Sequence, residues 1–219
     1  MEVGAHRDAD ASRLPTAQGK RKTRRTVLAG AVAALLLPAG YFAYAWLTYP
    51  SDQTPEGAYL RVMSAVNSGS ARDLFHYTET KAQHACYTIR DFRKKAMDSV
   101  SRAYPEPERT RLMDEYRPFA EAPDGRDVFA VFAERRGYLA RLRRDLSGVA
   151  KIEESGPRAS VQTVKGTRYP FRRRENGMWG LTLFTAELTQ EAQRAARDAA
   201  LVEKSALDYE RASKRDAKK

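Results

Sequence analysis

VAKIEESGPRASVQTVKGTRYPFRRRENGMWGLTLF, residues 149–184, is the stretch that decides the fold. Upstream of Gly148 apolar residues recur at helical spacing; here they alternate. Turn residues at Ser155-Gly156-Pro157, Lys165-Gly166 and Glu175-Asn176-Gly177 cut the stretch into four runs. These runs are Val149 to Glu154, Arg158 to Val164, Thr167 to Arg174 and Met178 to Phe184. Asn-Gly between two alternating runs is the strongest short hairpin signal, because both residues accept the positive φ of a tight turn. An antiparallel meander of about four strands is predicted, with Val161, Val164, Phe171, Trp179 and Leu181 on the face that packs against helices.

Before the meander lie the helices. Thr54-Pro55-Glu56 is a start signal: a capping hydroxyl, a proline in the first turn, and an acid at the positive end of the dipole. Tyr59, Val62, Met63 and Val66 then share one face, and Asn67-Ser68-Gly69 stops the helix. Ser70, with Asp73 three residues on, opens a short helix carrying Leu74 and Phe75. A longer one is predicted from about Lys81 to Arg102, with Ala82, Ala85, Cys86, Ile89, Phe92, Ala96 and Val100 on its apolar side. Beyond Pro105 and Pro107, one helix carries Leu112, Met113, Tyr116 and Phe119. After the turn Pro123-Asp124-Gly125, a further helical stretch carries Val128, Phe129, Phe132, Leu139, Leu142 and Leu146.

After the meander, Ala186 to about Arg215 reads as a long charged helix. Leu188, Ala192, Ala195, Ala199, Val202, Ala206 and Tyr209 recur at gaps of four and three, an a/d pattern. Such a seam fits either self-association through Leu188 to Tyr209 or a helix lying along its own domain.

Thr26 to Tyr49 reads TVLAGAVAALLLPAGYFAYAWLTY, without a charge. A helix rising 1.5 Å per residue crosses a bilayer core in about 20 residues, so this run spans a membrane. Lys20, Arg21, Lys22, Arg24 and Arg25 precede it, and Tyr41, Phe42, Tyr44, Trp46 and Tyr49 crowd its other end. Basic flanks stay cytoplasmic and aromatic rings favour the interface, so the N-terminus is expected inside and the domain in the periplasm of a bacterial inner membrane. The alternative is secretion after signal cleavage near Ala45, in the small-x-small run Ala43-Tyr44-Ala45. The organisation expected is a disordered basic tail (1–25), an anchor (26–49), an α+β domain (52–184) and a charged C-terminal helix and tail (185–219).

The net charge is +11, of which +7 lies beyond residue 50, intermixed with acids as on a solvated surface. Cys86 is alone, which excludes an intrachain disulfide. His76, His84 and Cys86 match no zinc spacing, and neither a metal nor a cofactor is expected. Phosphate loop, nucleophile elbow, HExxH run and Ser-His-Asp order are all missing.

Two segments carry a resemblance: Thr54-Pro55-Glu56 through Ala71-Arg72-Asp73-Leu74-Phe75, and Phe171 with Asn176-Gly177-Met178-Trp179-Gly180-Leu181. They resemble the opening helices and penultimate strands of the NTF2-like (cystatin-like) superfamily, especially its membrane-tethered lumazine-binding-like and SnoaL-like members. The resemblance implies a helix-lined cone above a bent sheet, with Tyr59, Phe75, Phe92, Phe171 and Trp179 lining it. Some such cones host isomerases and dehydratases, whose acid or base would be sought here in Asp73, His76 or His84, near Tyr77 and Tyr87. Others only bind, and fold alone does not choose. The reading placed first is a non-catalytic membrane-anchored envelope domain that binds a protein partner or small ligand. A cone-pocket enzyme acting on a small lipophilic substrate comes second. Binding to an anionic surface or nucleic acid through Arg172-Arg173-Arg174 comes last.

Overall fold

Capping hydroxyls set the first helices of the computed structural model, which describes residues 50–216. Thr54 Oγ1 accepts the Gly57 N–H at 3.1 Å and starts α1 (Pro55–Asn67). Ser70 Oγ accepts the Asp73 N–H at 3.1 Å and starts α2 (Ala71–His76). There follow α3 (Thr80–Ala103), α4 (Glu108–Ala120), α5 (Gly125–Arg135) and α6 (Tyr138–Asp145). The sheet is β1 (Val149–Ser155), β2 (Arg158–Thr163), β3 (Arg168–Arg173) and β4 (Trp179–Leu181). A 32-residue helix, α7 (Thr185–Asp216), completes an α+β architecture. The expected basic tail and the expected membrane span, Thr26 to Tyr49, lie outside the described residues. Among the described residues, no helix is long and apolar enough to cross a membrane.

The four strands form one antiparallel meander in sequence order. Ala159, Val161, Tyr169, Phe171 and Leu181 are buried, and α1 packs across that side. The rings of Tyr59 on α1 and Tyr169 on β3 lie 5.3 Å apart. Phe129 fills the adjoining space, 5.6 to 5.9 Å from the rings of Phe75, Tyr138 and Phe184. These residues belong to one core shared by the sheet, α1 and α5.

A second, smaller core lies between α3, α4 and α7. Here Ala199, Val202 and Ala206 meet Ala96 and Val100, with Tyr104, Leu112 and Tyr116 closing the side. The a/d seam of α7 is therefore buried against α3 of its own chain, from Leu188 through Ala206. Alanine permits this: small side chains let two long helices approach closely over many turns.

Two sequence-based expectations are corrected. The helical stretch carrying Val128 to Leu146 is two helices, broken at Gly137, whose φ of +62° is left-handed. A residue with a Cβ pays roughly 1–2 kcal/mol there, glycine almost nothing. The break turns α6 so that Tyr138 and Leu142 enter the core. Val164, expected to pack with Val161, is 72% exposed. Its side chain falls on the opposite parity, Thr163 takes the inward position, and Val164 begins the turn to β3.

Candidate functional site

β4 assembles the site. The backbone of residues 77–79 runs parallel along its outer edge: Leu181 donates to the Tyr77 carbonyl at 2.7 Å, and Glu79 donates to the Leu181 carbonyl at 3.0 Å. Gly180 permits this approach, because a Cβ there would lie 2.7 Å from the Thr78 carbonyl oxygen and 2.8 Å from Glu79 Cα. Trp179 fixes the other flank, its backbone N–H donating to Asp52 O and its indole Nε1–H to Gln53 O, both at 3.1 Å.

The consequence is a buried carboxylate against the open side of the sheet. Glu79 is 6% exposed at its side chain, accepts the Thr185 hydroxyl at 2.7 Å, and pairs with Arg172 Nη1 at 3.3 Å. A buried charge is tolerable only when paired and hydrogen-bonded, and Glu79 has both. It stands at one wall of a groove of about 510 Å³. Glu153, Ser160 and Pro170 lie opposite one another on successive strands and cross the groove, with Ser155, Arg158 and Thr182 around it.

The groove ends at β1, and β1 is unusual. From Ala150 to Ser155 every residue is exposed, on both faces of the strand. Among the described residues β1 pairs with β2 alone, so its other edge carries unpaired backbone groups. The register slips by one between Val149 and Lys151. Lys151 Nζ pairs with Glu153 at 2.7 Å, and that hydrogen bond and charge hold the Glu153 carboxyl below its usual range.

The residues singled out from sequence are dispersed. Asp73 and His76 share a polar cleft of about 370 Å³ with Gln83, Tyr87, Asp124 and Arg174, and both are exposed. Their neighbours are committed elsewhere. Asp124 accepts the Arg126 N–H at 3.1 Å and the Tyr87 hydroxyl at 2.9 Å, which together hold its carboxyl below the usual range. Arg174 donates to the His76 carbonyl and to Gln83 Oε1. His84 is exposed on α3 outside this cleft, its carbonyl accepting the Thr88 hydroxyl. Cys86 is fully buried, and burial pushes its thiol up to about 12, where it remains neutral at physiological pH.

The aromatic residues expected to line a cone are mostly packed solid. Tyr59, Phe171 and Trp179 are at most 2% exposed and Phe75 is buried, all in the main core. Phe92 is half-buried and touches both cores. Arg172, Arg173 and Arg174 do not form a patch: Arg172 pairs with Glu79, Arg173 is exposed, and Arg174 reaches toward α3. Sequence reasoning missed Glu79, whose partners Arg172 and Thr185 lie about a hundred residues away. Its only local signal was Gly180 inside a strand, a mark of close backbone approach.

No family model matches this chain, and no curated protein or solved structure matches it either.

Proposed function

We propose that this chain is a non-catalytic, membrane-tethered binding domain on the periplasmic side of a bacterial inner membrane. Its occupant is an extended segment of a partner protein, added to β1 and lying over the adjoining groove. The observation that carries this reading is β1, a seven-residue strand with one edge unpaired among the described residues and both faces exposed from Ala150 to Ser155. An added strand gains main-chain hydrogen bonds from such an edge, while side-chain recognition comes from the groove beside it. On this rim Glu153 is paired with Lys151, whereas Glu154 has no ion pair within 4.0 Å among the described residues, which favours a segment bearing Lys or Arg. The uncharged run Thr26 to Tyr49 and its basic N-terminal flank support the tether and its orientation. Commitment of Glu79 to Arg172 and Thr185 supports recognition rather than proton transfer.

The test uses the full-length protein in its native membrane. Protease added to intact spheroplasts should digest the domain and spare the tail. A photoreactive side chain at Ile152 should capture one reproducible partner, and the double variant Glu153→Lys, Glu154→Lys should lose it. Capture that survives the charge reversal, or a domain protected from protease, would sink the proposal.

A further inference from the structure

The two edges of the sheet differ. Residues 77–79 run along β4, whereas β1 has no second neighbour among the described residues. The hydrogen bonds of β2 fix which backbone groups of β1 are free. Thr163 donates to the Thr167 carbonyl at 2.9 Å, and Arg173 donates to the Pro157 carbonyl at 2.8 Å. Odd-numbered positions along β2 therefore bond toward β3, and even-numbered ones bond toward β1. Ser160 and Gln162 face Glu153 and Lys151, so the backbone groups of that pair are used within the sheet. Ile152 and Glu154 direct their N–H and C=O to the free edge.

The side chains of β1 are self-complementary in one register. Lys151 and Glu153 lie on the face of Ser160 and Pro170, away from the helices. Ile152 opposes the buried Val161 on the other face, yet is itself 36% exposed. An antiparallel copy of β1, related by a two-fold axis through Ile152, keeps both faces matched. Ile152 then faces its own copy, with edge-directed backbone groups on both strands, and Lys151 faces Glu153 of the second copy on either side of the axis. Shifting the axis by one residue sets Lys151 or Glu153 against itself, and like charges directly opposite destabilise a sheet. An axis through Glu154 does the same to that carboxylate, and one through Ala150 falls on the register slip between Val149 and Lys151.

We propose that β1, when no partner segment occupies it, pairs with β1 of a second copy about a two-fold axis through Ile152. The pairing joins two four-stranded sheets and removes the open edge of both, the usual remedy for an exposed strand. A single strand pair is a small interface, below about 1,200 Å², and so a dissociable one. Self-pairing and partner binding use the same backbone groups and exclude each other, so the dimer regulates access to the edge. The dimer requires only the free edge, while its regulatory role rests on the reading of β1 as a partner-binding strand.

Disulfide trapping tests the proposal on the full-length protein purified into phosphatidylcholine liposomes, where no other protein competes. Ile152→Cys should link two copies under mild oxidation, because Cα atoms paired at the axis lie about 5.5 Å apart. Glu154→Cys should link at least about tenfold more slowly, since its two copies lie roughly 13 Å apart along the strands. Cys86 is buried and does not compete. In the Ile152→Cys background, Lys151→Glu alone and Glu153→Lys alone should each slow linking about tenfold, by setting like charges opposite. Mixing those two variants should restore the rate, because opposite charges then face each other again. Equal rates for Ile152→Cys and Glu154→Cys would mark random collision and overturn the proposal. Failure of Ile152→Cys to link, or a rate indifferent to the charge variants, would do the same. Partner capture at Ile152 that persists without any dimer would leave the proposed function standing, and a dimer without partner capture would leave only the self-pairing.

Discussion

Around β4 the core is made of rings, whereas the seam where α3 meets α7 is made largely of methyl groups. Trp179, Tyr59, Phe171, Phe129 and Phe184 are each at most 2% exposed and belong to the first region. Ala96, Ala199 and Ala206, with Val100 and Val202, line the seam of the second, and Tyr104, Leu112 and Tyr116 close its side. A buried ring removes some 150–250 Å² from water and locks its neighbours by shape. An alanine methyl adds less than about 1 kcal/mol. The seam compensates by length, since α7 is 32 residues and α3 is 24, and by ion pairs such as Arg93 with Asp198 at 2.9 Å. Energy is concentrated in the first region and spread along the second, so single substitutions should fall unequally on the two.

The largest effect expected is from Trp179→Ala, about 3–5 kcal/mol by urea denaturation, because it empties the core and also removes the indole N–H that donates to Gln53 O. Faster amide exchange through residues 52–57 would accompany it, and a loss below about 1 kcal/mol would erase the contrast between regions. Alkaline pH strikes the same core next. Burial raises the Cys86 thiol from 9.0 to about 12 and the Tyr169 phenol from 10.0 to about 12. An acid whose folded pKa is raised favours the folded state fully below its unfolded pKa, and that contribution disappears as pH climbs through the folded pKa. Stability should therefore decline between about pH 9 and 12, by a few kcal/mol in order of magnitude. Cys86→Ala should flatten the first part of that decline.

Gly180→Ala comes third. Its Cβ would collide with the backbone at Thr78 and Glu79, and overpacking of this kind costs about 1–3 kcal/mol. It should also detach Glu79 from Arg172, which hydrogen exchange at residues 77–79 would report. In the seam, Val202→Ala removes two methyl groups and should cost only about 1.5 kcal/mol. Arg102→Ala is the smallest. The Arg102–Glu210 pair at 2.7 Å is well exposed on the arginine side, and such pairs are worth about 0–1 kcal/mol. A larger loss would show that charge, not packing, carries the seam.

Much of the fold was legible from local chemistry. The turns at Gly156, Gly166 and Gly177 each have a positive φ, and the strands between them run as an antiparallel meander. Thr54 and Ser70 cap helices as their neighbours demand. The break at Gly137 was not read, because apolar spacing on either side of it, Phe132 to Leu139 and Leu142, suggested one continuous helix. The groove was not legible, because Glu79 gains meaning only when Gly180 admits its backbone and Arg172 and Thr185 reach its carboxylate. Tyr138 and Tyr169 read as ordinary aromatic residues in sequence, and only packing leaves their hydroxyls buried without a hydrogen-bond partner among the described residues.

The amino-acid sequence by itself determined which segments are helix and which are strand, where most turns fall, and that residues 26–49 are apolar enough to span a membrane. Those properties follow from neighbours within a few positions, through periodicity, capping and turn geometry. Only the tertiary structure decided that the α7 seam is covered by α3 and that, among the described residues, β1 has no neighbour on one edge and two phenols have no hydrogen-bond partner. Each depends on which distant surfaces meet, and periodicity marks a face for burial without saying what will cover it.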